Sequence, residues 1–287
     1  MISVEQLTAS VAEHGEGPVW CDRWPGLRWV DMLAGDVLEL DSGTGEVRRF
    51  PVGTVAAALR PHAETGVVLA LERRFALADD EFEQITPLPE LWSDPGIRMN
   101  DGGCDPQGRF HCGSMAYAET PGAGALYRLN LDASVDVELT DVTISNGLAW
   151  SPDGTTAYYA DTPTHRVDAF DYSPESGLSH RRTAIRIPAE HGSPDGLTVD
   201  AEGTVWVALW GGSAVHRYSP DGNLLDIVHL PVSQVTACTF GGPTHTDLYI
   251  TTSRQGIDPA TQPAAGAVFR ASPGVTGQPT LPYRRAI

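Results

Sequence analysis

The chain contains no lysine; all 19 of its basic residues are arginine. Schiff-base catalysis and the lysine of a phosphate-binding loop are therefore excluded. Positive charge is short altogether: 37 acidic residues give a formal net charge of −18. That balance argues against nucleic-acid and anionic-membrane partners, which need a basic face to displace counterions, and it serves solubility. Cysteine is scarce as well, with four residues (Cys21, Cys104, Cys112, Cys238) and no CxxC spacing. Reduced thiols are the expectation in a domain of this size, and Cys104 and Cys112, flanking a predicted hairpin, are the one pair placed to face each other. No run of 18 apolar residues occurs, and the start Met1-Ile2-Ser3-Val4-Glu5-Gln6-Leu7 lacks the basic and apolar regions of a secretory signal. A soluble, cytoplasmic protein is expected, monomeric or a small homo-oligomer. Also missing are a GxSxG nucleophile elbow, an HExxH pair and any convincing amphipathic helix longer than ten residues.

What the chain does contain is short strands and turns. Glycine (30) and proline (22) are plentiful beside a hydrophobic fraction of 41%, a composition suited to a turn-rich sheet protein. Four segments align on one another: Glu16-Gly17-Pro18-Val19-Trp20, Asn100-Asp101-Gly102-Gly103-Cys104, Asn146-Gly147-Leu148-Ala149-Trp150 and Asp195-Gly196-Leu197-Thr198-Val199. In the last three a glycine follows eight residues on (Gly108, Gly154, Gly203), and an aromatic then opens a strand (Phe110, Tyr158, Trp206). Glu16/Asn146, Trp20/Trp150 and Asp31/Asp161 share an offset of 130, and the steps between the four lead residues are 84, 46 and 49. A repeat in the forties built of strands is the mark of a propeller blade, and the chain length holds about six. The predicted fold is an all-β, six-bladed β-propeller, one domain over residues 1–287. Predicted strands include 27–32, 66–71, Thr156–Asp161, 205–209 and 248–252. The early strand 2–7 is expected to complete the last blade and close the ring.

Equivalent positions of different blades are related by rotation about one axis, so the lead residues should converge at the channel mouth, just ahead of the innermost strands. Glu16, Asn146 and Asp195 supply two carboxylates and an amide oxygen. Their charge of −2 neutralises one divalent cation, and all-oxygen ligation favours calcium, then magnesium or manganese, with zinc as a further alternative. Three protein ligands leave coordination positions open for water or substrate. The competing reading is turn chemistry: Asn-Gly and Asp-Gly are ordinary turn pairs, and Ser193-Pro194-Asp195-Gly196 looks like the hairpin turn Ser151-Pro152-Asp153-Gly154. Repeat register decides between them, since Asp195 matches Asn146 rather than Asp153. The next lead position falls on Thr236, a poor ligand. His14, two residues from Glu16, is weighed as an outer partner of the site against a surface role. Trp20, Trp150 and Trp206 read as core between blades.

These residues resemble the senescence marker protein (regucalcin)/gluconolactonase family. The segments that carry the likeness are His14-Gly15-Glu16-Gly17-Pro18-Val19-Trp20, Arg98-Met99-Asn100-Asp101-Gly102, Ile144-Ser145-Asn146-Gly147-Leu148 and Ser193-Pro194-Asp195-Gly196, spread over nearly the whole chain. The resemblance implies a six-bladed propeller that binds one divalent metal and opens a small sugar lactone. By position it implies metal ligands at Glu16, Asn146 and Asp195, with substrate contacts at Arg98 and Asn100. Asp195, at the metal, is the candidate to position and deprotonate water, with metal-bound hydroxide as the alternative nucleophile and Asp195 then mainly structural; Asp101 and Glu119 stand one layer out. The chain departs from the family in Gly113-Ser114-Met115-Ala116-Tyr117-Ala118-Glu119, where the family's substrate-contacting glutamate falls on Ala118. In a strand, Glu119 would face the opposite way, and Tyr117 or Glu119 would have to compensate through a loop. Two other readings stand beside the lactonase: a phosphotriester or organophosphate hydrolase on the same propeller, and a metal-holding propeller without catalysis.

Overall fold

The structure is a computed structural model and describes residues 2–285. Six four-stranded antiparallel sheets are arranged as a six-bladed β-propeller. The innermost strands are Gly15–Trp20, Ala56–Pro61, Ile97–Cys104, Ser145–Trp150, Ser193–Val199 and Val235–Gly241, for blades 1 to 6 in that order. Each packs against its two neighbours, so the inner strands form a closed ring. The sixth blade is completed from the other end of the chain: Val4–Gln6 pairs antiparallel with Phe269–Ala271, Val4 opposite Ala271. This is the predicted closure, and it leaves no blade short of an edge strand.

Burial falls from the centre outward. Gly15–Trp20 is buried at every residue, whereas the outer strand of the same blade, Val47–Pro51, is mostly open. Inner strands sandwiched on both faces must be apolar or must partner their polar groups internally. The core lies between blades. Trp20 of blade 1 stacks on Tyr249 of blade 6 (5.4 Å), and Trp206 of blade 5 meets Phe240 of blade 6 edge-on (5.7 Å). Trp150 of blade 4 packs on His111 of blade 3 (5.4 Å). All three tryptophans are therefore inter-blade core, as expected.

Helical structure among the described residues is confined to three one-turn 3-10 segments, Met32–Ala34, Thr162–Thr164 and Ala189–His191. None is long and apolar enough to cross a membrane. Of the cysteine readings, the facing of Cys104 and Cys112 is the one that needs correcting. Cys104 pairs across the hairpin with Phe110, and Cys112 pairs with Gly102. Two residues of register separate the thiols, and all four cysteines are free.

Candidate active site at one end of the channel

The lead residues lie within the inner strands rather than ahead of them. Every inner strand carries a register shift near its start: Glu16/Val19, Ala56/Ala58, Met99/Gly102, Ser145/Leu148, Pro194/Leu197 and Val235/Ala237. A bulge leaves its extra residue unpaired and re-aims the side chain, which is why bulges recur beside sites. Asn100, Asn146 and Asp195 sit in these bulges, and Glu16 opens its own. Glycine next to the lead residue serves close approach. A Cβ on Gly147 would lie 2.5 Å from the Leu197 nitrogen of blade 5, and one on Gly196 would lie 2.4 Å from Ala237 Cβ of blade 6.

The shared 130-residue offset has a structural cause. Asp31 Oδ1 accepts the backbone N–H groups of Glu13 and His14, each at 3.0 Å. Asp161 accepts those of Thr143 and Ile144, the positions 130 further on, with Ile144 at 2.9 Å. Each aspartate thus fixes the chain entering the bulge, and with it Glu16 or Asn146.

A pocket of about 390 Å³ at this end of the channel is lined by Glu16, Arg98, Asn100, Asn146 and Asp195, together with His14, Tyr117 and Glu119. That size suits a monosaccharide-scale ligand. A chain of donors sets the amides. Arg98 Nη1 donates to Asn100 Oδ1 (2.6 Å), and Asn100 Nδ2 donates to the Ser145 carbonyl (2.7 Å) and to Asn146 Oδ1 (3.3 Å). Asn146 Nδ2 donates to Thr162 Oγ1 (2.8 Å), which donates in turn to the Pro194 carbonyl (2.8 Å) beside Asp195. These bonds fix which end of each amide is the oxygen.

The acids are crowded and dry. Burial, then the charge of Asp101, pushes the Glu16 carboxyl up to about 8, against the backbone N–H of Gly17 at 3.0 Å. Asp195 is held well above the carboxylate range by burial, Glu16 and Asp101. Burial raises Asp101 as well. Asp195 Oδ1 is buried and receives no hydrogen bond. Such an oxygen is costly as it stands and is what a cation would satisfy. Among the described residues no cluster of three or more His, Cys, Asp or Glu is placed to hold a metal ion. Here the third donor is an amide, and two carboxylates with an amide oxygen fit a hard divalent cation.

Each predicted residue can now be placed. Glu16, Asn146, Asp195, Arg98 and Asn100 share the one pocket. Arg98 is buried (7% exposed), and no carboxylate pairs with it among the described residues, so it is not a surface ion pair. Asp101 is off the pocket wall, its Oδ1 accepting the Gly102 N–H at 2.6 Å. The strand argument for Glu119 does not apply. The strand Phe110–Ala116 ends before it, and Glu119 sits in a turn with a left-handed backbone (φ 54°) that brings it to the pocket. Thr236 is consumed structurally, donating to the Gly15 carbonyl at 2.6 Å. His14 does line the pocket. Its Nδ1 lies 2.9 Å from Ser253 Oγ, and burial, reinforced by Arg98, holds its pKa down to about 4. Trp210, Met115 and Thr162 went unpredicted. The first two stand fifteen residues beyond Asp195 and Asn100, as Asp31 and Asp161 do beyond Glu16 and Asn146, so the repeat register held the signal.

Sequence and structure comparisons agree with this architecture. The SMP-30/gluconolactonase/LRE-like region matches residues 14–254. Zebrafish regucalcin (Danio rerio) is 38% identical, with 98% of each chain covered. A regucalcin structure from Agrobacterium tumefaciens, described as a calcium-binding protein, superposes with a TM-score of 0.93 at 30% identity, over 99% of this chain and 98% of that one. A luciferin-regenerating enzyme superposes with a TM-score of 0.92 at 29% identity, over 99% and 100%. The chain belongs to the SMP-30/gluconolactonase/LRE-like family.

Proposed function

We propose that this protein is a divalent-metal-dependent lactonase that opens a small sugar lactone to the hydroxy acid. The observation that carries the reading is the pocket itself. Glu16, Asn146 and Asp195, from blades 1, 4 and 5, meet there with Arg98 and Asn100 of blade 3, and one Asp195 oxygen is left without a protein donor. Family membership supports the same chemistry.

Glu16, Asn146 and Asp195 would hold the cation, calcium first among the candidates. When bound, the ion would supply Lewis acidity toward the lactone carbonyl and neutralise the paired carboxylates. Asp195, ionised, accepts a proton from water as the water oxygen bonds to the carbonyl carbon. The ring C–O bond then breaks, and the proton is returned to the departing alkoxide, leaving an open hydroxy acid. Arg98 and Asn100 hold ring hydroxyls, with Arg98 fixed by its bonds to Asn100 Oδ1 and to the Met99 carbonyl (2.9 Å). His14, neutral at ordinary pH, lines the same pocket as Glu16 without adding charge.

The test is a pH-indicator assay of aldonolactones and phosphotriesters on wild type and Asp195→Asn. Lactone opening by wild type is expected, falling about a hundred- to ten-thousand-fold in the variant. Turnover of phosphotriesters alone, or of nothing while a cation still binds, overturns the reading.

A further inference from the structure

Tyr117 stands apart on the pocket wall. It is 45% exposed, one of few large hydrophobic side chains left open to solvent among the described residues. Yet it is held at both ends. Its backbone N–H donates to the Gly96 carbonyl (2.9 Å), and its phenol donates to Glu72 Oε1 (2.7 Å). The Arg98 guanidinium lies 5.7 Å from the ring centroid. Glu72 is anchored in turn: its other oxygen accepts Thr54 Oγ1 (3.2 Å), and its carbonyl accepts the Met99 N–H (2.8 Å). Burial and Glu72 push the phenol up to about 12, so it remains a donor at any working pH.

An open aromatic face is costly in water, and fixing its rotamer in advance removes the entropy that binding would otherwise lose. Trp210 contributes a second aromatic wall from blade 5, and Arg98, Asn100 and Glu119 supply hydrogen-bonding groups around the same space. Apolar faces ringed by polar groups match a cyclic polyol, which presents C–H groups on a face and hydroxyls at its edge. We propose that Tyr117 is a specificity-determining platform for the C–H face of a hydroxylated, pyranose-type lactone, with Glu72 as its positioning residue and Glu119, from the same turn, accepting a ring hydroxyl. This rests on the lactonase reading and narrows its substrate class.

Two readouts test it: KM and kcat on a hydroxylated six-membered lactone, and binding of methyl glucopyranoside, which cannot hydrolyse, by tryptophan fluorescence. Tyr117→Ala should raise KM and weaken pyranoside binding roughly tenfold each, with kcat within about twofold. Tyr117→Phe and Glu72→Ala should each cost about two- to threefold, and no more when combined, because both remove the same bond. Unchanged KM and pyranoside affinity in Tyr117→Ala overturn the platform, as does a loss of kcat equal to the rise in KM. If wild type opens no lactone, the functional reading fails by itself, while pyranoside binding still decides the role of Tyr117.

Discussion

At Asp195 a buried carboxylate oxygen has no donor, and the charges of Glu16 and Asp101 lie close enough to raise its pKa. Without a cation, the folded protein therefore keeps protons that the unfolded chain would release. Glu16 shows the sign. Its folded pKa of about 8 stands above the ordinary 4.5, so its stabilising contribution is full below 4.5 and is lost as pH rises through 8. His14 and His216, both lowered to about 4 by burial, act in the opposite sense between about 4 and 6.5. The carboxyl effect consequently stands clear of them above pH ~6.5, with a slope of up to about 1.4 kcal/mol per pH unit for each proton. Calorimetry of chelated protein should show Tm falling from about pH 6.5 to 8, and added divalent cation should recover most at the upper end. A flat Tm after chelation would contradict the pairing of these acids around an ion.

At the scale of the strand, the site is a property of the bulges. Gly147 lets the inner strand of blade 4 approach the Leu197 nitrogen closely, beside the Asp195 carbonyl. Gly147→Ala should push these strands apart, cost about 1–3 kcal/mol and lower Tm by several degrees. It should also weaken cation binding, because Asn146 and Asp195 sit on the two strands being separated; an unchanged Tm with unchanged affinity argues against that coupling. The lead residues were legible in the sequence because rotation repeats them, and so was the Asp31/Asp161 offset, which the structure explains as two equivalent clamps on the entering chain. Thr162 and Glu72 were not legible. Each directly follows the second strand of its blade, as Met32 does, so the position repeats, but Thr, Glu and Met there share no chemistry that would mark it. For Glu119 strand alternation does not reach that far, since Phe110–Ala116 ends before it, and the loop reading is the one that applies.

On the scale of the molecule, the two ends of the channel are finished differently. One end opens into the polar pocket. Across the other runs the segment 276–283, which has no strand pattern and was not foreseen. Gln278 donates to the carbonyls of Trp150 (3.0 Å) and Val199 (3.1 Å), and Gly277 donates to His245 (2.7 Å). Tyr283 exchanges backbone bonds with Pro61 and Ala63 and donates its phenol to the Asn130 carbonyl (2.8 Å). The ring closed by Val4–Gln6 in the sixth blade is thus also laced across its far side. A rigid ring is what allows side chains from blades 1, 4 and 5 to be held to one point. The most direct test is anomalous scattering from crystals grown with manganese. The expected result is a single peak within about 2.0–2.6 Å of oxygens from Glu16, Asn146 and Asp195 together. A peak that leaves out any one of the three, or no peak in the channel at saturating manganese, would contradict the shared site.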